Sequence, residues 1–148
     1  MKKVLNFAFA YILWIFDIGL ALLLFFRSRT LVLDILILFG NPNNWQYSQI
    51  INLIDRFLVV ILGLGWLVFM IFVEEYFRTG VSRGELLKRF ARITAPVLLS
   101  LFVVDLILSR LQGIDSGNWL QWLALAVELG AGTGLLVLSK TRFASKST

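Results

Sequence analysis

The chain contains no cysteine and no histidine. Disulfides, zinc sites, iron–sulfur clusters, thiol catalysis and histidine-ligated haem are therefore excluded, and only Met1 and Met70 could offer thioether ligands. No glycine-rich phosphate loop with its Lys-Ser/Thr pair is present. Ser100 has no histidine to activate it. Asp34, Asp55 and Asp115 do not have a metal-ligand spacing. No enzyme and no cofactor is expected. Charge is scarce as well, at 16% of residues against about 25% in a soluble domain.

What is present is apolar surface. Of the 148 residues, 59% are hydrophobic, and the mean hydropathy is +0.85. Four crossings of about 20 residues each would consume most of the chain and leave no room for a separate soluble domain. The expectation is one membrane domain over 1–148, all-α and polytopic, with four transmembrane helices and a short interfacial or re-entrant helix.

The first span is read over 4–26. Lys2 and Lys3 before it imitate a signal peptide, but the apolar run is too long, Asp17 interrupts it and Phe25-Phe26-Arg27-Ser28 is no small-residue cleavage site. Its Leu, Ile, Val and Phe residues, at about −0.3 to −0.6 kcal/mol each, outweigh roughly +3 kcal/mol for one central Asp. The second span is 57–73, free of charge and bounded by Asp55-Arg56 and Glu74-Glu75. The third is 93–108, with Asp105 and Pro96; the fourth is 119–138, with Glu128. The segment 31–39 is apolar apart from Asp34, yet it reaches only about half a hydrocarbon core, so it is assigned as the interfacial helix.

Basic residues set the orientation. With the N-terminus inside, ten fall on the cytoplasmic side, including Lys140, Arg142 and Lys146, and Arg27, Arg29, Arg56 and Arg110 fall outside. The bias places both termini in the cytoplasm of a plasma (inner) membrane protein. Trp45, Tyr47, Trp119 and Trp122 would form the outer aromatic belt, with Tyr76 inside. The net charge of +5 is explained by this bias without a nucleic-acid partner.

Between the second and third spans, Gly80 is placed to stop one helix, and Glu74 can pair with Arg78 one turn on. Ser82-Arg83-Gly84-Glu85 has capping-box spacing, so an amphipathic cytoplasmic helix is expected over 83–92, turning into the third span near Pro96. Its Arg83, Lys88, Arg89 and Arg92 either bind anionic lipid headgroups or simply satisfy the positive-inside rule.

Asp17, Asp105 and Glu128 are the costliest residues, up to about 3 kcal/mol each at mid-bilayer. Each should face other helices, a wet crevice or a partner. Asn6, Ala10, Asp17 and Ala21 share one face of the first span. Gln121, Ala124, Glu128, Ala131 and Gly132 share one of the fourth, and Asp105, Ser109 and Gln112 form a stripe on the third. No Lys or Arg lies at their depth: Arg110 could fold back toward Asp105, and Arg27 or Arg29 could approach from the outer surface, but neither reaches mid-membrane easily, so desolvation should favour the neutral forms, Glu128 above all. They are candidates for a proton or small-cation relay, or for hydrogen bonds that hold helices together. Such bonds average only about 0.6 kcal/mol in membranes.

The fourth span also carries Ala126, Gly130 and Gly134 at four-residue intervals, the small-xxx-small pattern of closely approaching helices. Nine Leu or Val residues worth about −3 to −5 kcal/mol stand against about +3 kcal/mol for Glu128 and further cost from its glycines, so this span needs neighbours. The row serves either packing within one bundle or contact with another membrane subunit or a second copy. The functional expectation is a small integral membrane protein acting through helix–helix association, as an accessory subunit. The alternative is a proton or cation pathway on Glu128, Asp17 and Asp105.

Overall fold

The computed structural model describes residues 2–40, 45–113 and 119–141. They form four helices: α1 (Lys2–Phe39), α2 (Trp45–Arg83), α3 (Leu86–Leu111) and α4 (Trp119–Thr141). All four are long and apolar enough to cross a bilayer, which makes the chain a multi-pass membrane protein. No strand occurs among the described residues.

Two expected short helices are absorbed into longer ones. The segment 31–39 is the last part of α1, not a separate interfacial helix. Neither proline nor glycine interrupts Arg27 to Leu31, and Thr30 turns its hydroxyl back onto the Phe26 carbonyl at 3.0 Å. The helix stops at Gly40, where a Cβ would overlap the Tyr47 ring. The segment 83–92 is likewise no separate cytoplasmic helix. Gly80 does not stop α2. Gly84 does, in the left-handed region at φ 68°. Glu85 N–H donates to the Gly80 carbonyl at 3.0 Å and Gly84 N–H to Val81 at 3.3 Å, the two bonds of a Schellman end. Helix α3 then starts at Leu86, with no side-chain cap from Glu85, and runs straight through Pro96. Gly80 has a different task. A Cβ there would lie 2.7 Å from Arg89 Cδ, so its small size lets Arg89 cross α2.

Helix α3 is the hub. It packs against α1 and α4, and against α2 near their shared turn, whereas among the described residues α4 packs on α3 alone. The ring contacts Phe77–Phe90 and Phe16–Phe90 tie α1, α2 and α3 together at that end. The fully buried side chains are Phe77, Leu101, Thr94 and Asp17. Many large apolar side chains lie on the outside, among them Ile61, Ile71, Val127 and Leu138. A soluble protein would bury them; here they face hydrocarbon or another protein.

Polar contacts set two registers. Along α1 and α2, Trp14 Nε1 donates to the Met70 carbonyl at 3.3 Å and Trp66 Nε1 to the Ile18 carbonyl at 3.4 Å. Arg29 grips Asp55 through two nitrogens at 2.6 and 2.7 Å, and Tyr47 donates to the Leu36 carbonyl. These four contacts step in opposite directions on the two helices, as an antiparallel pair must. Along α1 and α3 they step the same way: Asp17 with Thr94, Arg27 with Asp105, Asp34 with Gln112. The first and third helices are therefore parallel and adjacent.

Candidate functional site

Three acids were expected inside the membrane, and the structure gives them two different environments. Asp17 is fully buried. Thr94 Oγ1 lies 2.6 Å from its Oδ1 and 2.9 Å from the Phe90 carbonyl, two acceptors that compete for its single hydroxyl hydrogen. Its other oxygen, Oδ2, has no hydrogen-bond partner. Ala10, one of its expected neighbours on the same face, is buried too; the Asn6 side chain lies outside the described residues.

Asp105 and Glu128 belong together. Arg27 of α1 brings Nε to 3.4 Å from Asp105 Oδ1. This corrects the expectation that no cation reaches the acids: α1 continues past the apolar run, so Arg27 stays on the α3-facing side and its long stem spans the remaining distance. The geometry is that of an ion pair and not of an aligned hydrogen bond, since Oδ1 has no such bond. Glu128 enters from α4, within electrostatic reach of both Asp105 and Arg27, and its Oε2 is buried and unpartnered. The Arg27 guanidinium thus pairs with the Asp105 carboxylate, and the Glu128 carboxyl lies near that pair without bonding to it. With both acids ionised the cluster carries one excess negative charge, so it can accept one proton or one small cation. Arg29, one turn up the chain from Phe25, is committed to Asp55 and does not join it. Arg110 does not pair with Asp105 among the described residues; it lies instead with Ser109, Gln121, Trp122 and Leu125 around a crevice of about 60 Å³ between α3 and α4. That crevice begins about one turn from Asp105 and has room for water.

Asp17 is not part of the cluster. Thr94 and Asp105 are about three turns apart on α3, and buried Val97 and Leu101 lie between them in the chain. Sequence reasoning missed Thr94. The available signal was matched spacing: polar residues 17, 27 and 34 on one helix face, and 94, 105 and 112 on another. Ser109, read as part of the α3 stripe, spends its hydroxyl on the Leu106 carbonyl at 2.7 Å.

The small-residue row behaves otherwise than within-bundle packing would require. Ala126, Gly130 and Gly134 are exposed, and a Cβ added at Gly130 or Gly134 would meet nothing. The close approach to α3 is made instead by Gly132, where a Cβ would lie 3.1 Å from the Leu99 side chain. Its neighbours Ala124 and Ala131 are exposed, and Leu125 is buried in their place.

The basic cluster is divided. Arg89 is largely buried, donating to the Tyr76 carbonyl at 2.8 Å and lying 4.6 Å from the centre of that ring. It is a strut between α2 and α3. Arg92 is exposed, Lys88 half-buried, and the Arg83 side chain lies outside the described residues. Asp34, Asp55, Glu74 and Glu75 form no group able to hold a metal, nor do any other described residues; Asp115 lies outside them.

No protein-family model, curated protein or solved structure matches this chain. The chemistry and exposure of its own side chains carry the functional reading.

Proposed function

We propose that this chain is an integral membrane protein that works by helix–helix association in the bilayer, as a subunit of a larger membrane assembly or as a homo-oligomer. One observation carries the reading: among the described residues α4 is held by α3 alone, and its far face offers the uncovered row Ala126, Gly130 and Gly134. A span of marginal insertion energy with a smooth, glycine-lined outer face gains from a further helix laid against it. The positive-inside bias supports a plasma (inner) membrane location with both termini cytoplasmic. Exposed Arg92 then faces the anionic leaflet surface, worth about 1 kcal/mol if it meets such lipids. The reading assigns no catalytic chemistry and no nucleic-acid partner.

Because the chain lacks cysteine, the test is clean. Gly134→Cys, oxidised in native membranes, should yield a discrete crosslinked species, either a dimer or a product with a foreign chain. Gly132→Cys, facing α3, should not. A protein that stays monomeric in mild detergent, with no crosslink from Gly134→Cys, overturns the proposal.

A second reading, a proton or cation site, is favoured by the juxtaposition of Arg27, Asp105 and Glu128. Glu128→Gln keeps the hydrogen-bonding capacity and removes the charge. Under this reading, proton- or cation-linked flux in proteoliposomes falls at least about tenfold; unchanged flux rejects it.

A further inference from the structure

Towards the α2–α3 turn, α1 and α2 line a cleft of about 610 Å³ with Phe7, Ile71, Glu74, Glu75, Arg78 and Thr79. A small cavity of about 20 Å³ beside it shares Phe7, Glu74 and Arg78 and reaches Tyr11 and Trp14. The sequence sets the mouth at the end of the second span: the apolar run of α2 ends at Val73, and Glu74-Glu75 follow at once.

The charges in the cleft are unspent. Glu74 and Arg78 have the spacing of a helical ion pair, yet no ion pair among the described residues joins them, and Glu75 is not in one either. All three are exposed, as are the apolar walls Phe7 and Ile71. The result is a cleft with two exposed apolar side chains, Phe7 and Ile71, beside two carboxylates and one guanidinium about one helical turn apart.

We propose that this cleft seats a zwitterionic phospholipid whose headgroup ends in a primary ammonium. The guanidinium of Arg78 takes the phosphate, for which its forked donors are suited. Glu74 and Glu75 accept the ammonium N–H groups, and the upper acyl carbons run along Phe7 and Ile71. The two charges of such a headgroup are joined by a two-carbon link, a separation that one helical turn matches. A quaternary ammonium has no N–H to give the carboxylates. An anionic headgroup would meet two carboxylates and one cation, a net repulsion. The site is remote from α4 and stands independently of the association reading.

The test uses the full chain in mild detergent, mixed with equimolar phosphoethanolamine, phosphocholine and phosphoglycerol lipids of identical acyl chains, with bound lipid read by native mass spectrometry. The phosphoethanolamine lipid should be retained about fivefold over either of the others, the effect of one surface charge contact. Glu74→Gln with Glu75→Gln, and separately Arg78→Gln, should each abolish that preference while helical content stays unchanged. Equal retention of the three lipids, preference for phosphoglycerol or phosphocholine, or a preference that survives both variants overturns the proposal. The comparison of lipids on the unaltered chain stands even if a variant fails to fold.

Discussion

Thr94 offsets part of the cost of burying Asp17, whose second oxygen has no partner among the described residues. A carboxyl group with no partner in an apolar interior loses its water without compensation. Thr94→Val should therefore destabilise the folded state by about 1–3 kcal/mol, since it strands a buried polar group. Asp17→Leu combined with Thr94→Val should recover most of that loss, because replacing both partners with apolar groups leaves nothing unsatisfied. Unfolding of the three proteins in mixed micelles checks both statements, and a double variant less stable than the Val single variant contradicts the second. Asp105 and Glu128 follow a different logic. The cation beside them, Arg27, is half in solvent with its side chain 53% exposed, so this cluster is the more responsive of the two and the better place to seek ion-linked behaviour.

At the scale of the helix, glycine position separates packing from exposure. A Cβ at Gly132 would lie against Leu98 and Leu99, whereas a Cβ at Gly130 or Gly134 on the same helix would meet nothing. Gly132→Val should push α4 off α3 and cost about 1–3 kcal/mol as overpacking. Gly130→Val should leave the monomer's stability within about 0.5 kcal/mol while weakening association through the open face. Thermal melts paired with detergent-resistant mass analysis distinguish the two; equal stability losses would mean that α4 is rotated from the orientation described. The helix ends tell a related story. Gly80 and Gly84 both look like stop signals in the sequence. Only Gly84 takes the left-handed conformation, and Gly80 is small because Arg89 passes over it.

For the molecule as a whole, the lengths are uneven. Helices α1 and α2, of 38 and 39 residues, reach about 57 Å, well beyond a hydrocarbon core of about 30 Å, whereas α3 and α4 are nearer to one crossing. The pair α1–α2 must therefore tilt or project, and its far end carries the Arg29–Asp55 and Tyr47–Leu36 contacts that keep it joined. Orientation can be read with single cysteines in this cysteine-free chain. Ser48→Cys should react with a membrane-impermeant maleimide in intact cells, and Thr79→Cys only after lysis. The reverse pattern would invert the proposed topology.

That four helices are long and apolar enough to cross a membrane was legible in the sequence, because hydropathy over twenty residues is a local sum that needs no neighbours. The three costly acids were legible for the same reason, since a charge within an apolar run stands out wherever it packs. Helix continuity was not. Segment 31–39 is too short to span and segment 83–92 has a cap-like start, so each read as a separate element, yet backbone hydrogen bonding carries one on from α1 and the other into α3. Partnership was not legible either: that Asp17 meets Thr94 and that Arg27 rather than Arg110 reaches Asp105 depend on the rotation and register of whole helices. These are decided by side chains far apart in the chain meeting across a seam, and composition and periodicity along one strand of sequence contain no term for them.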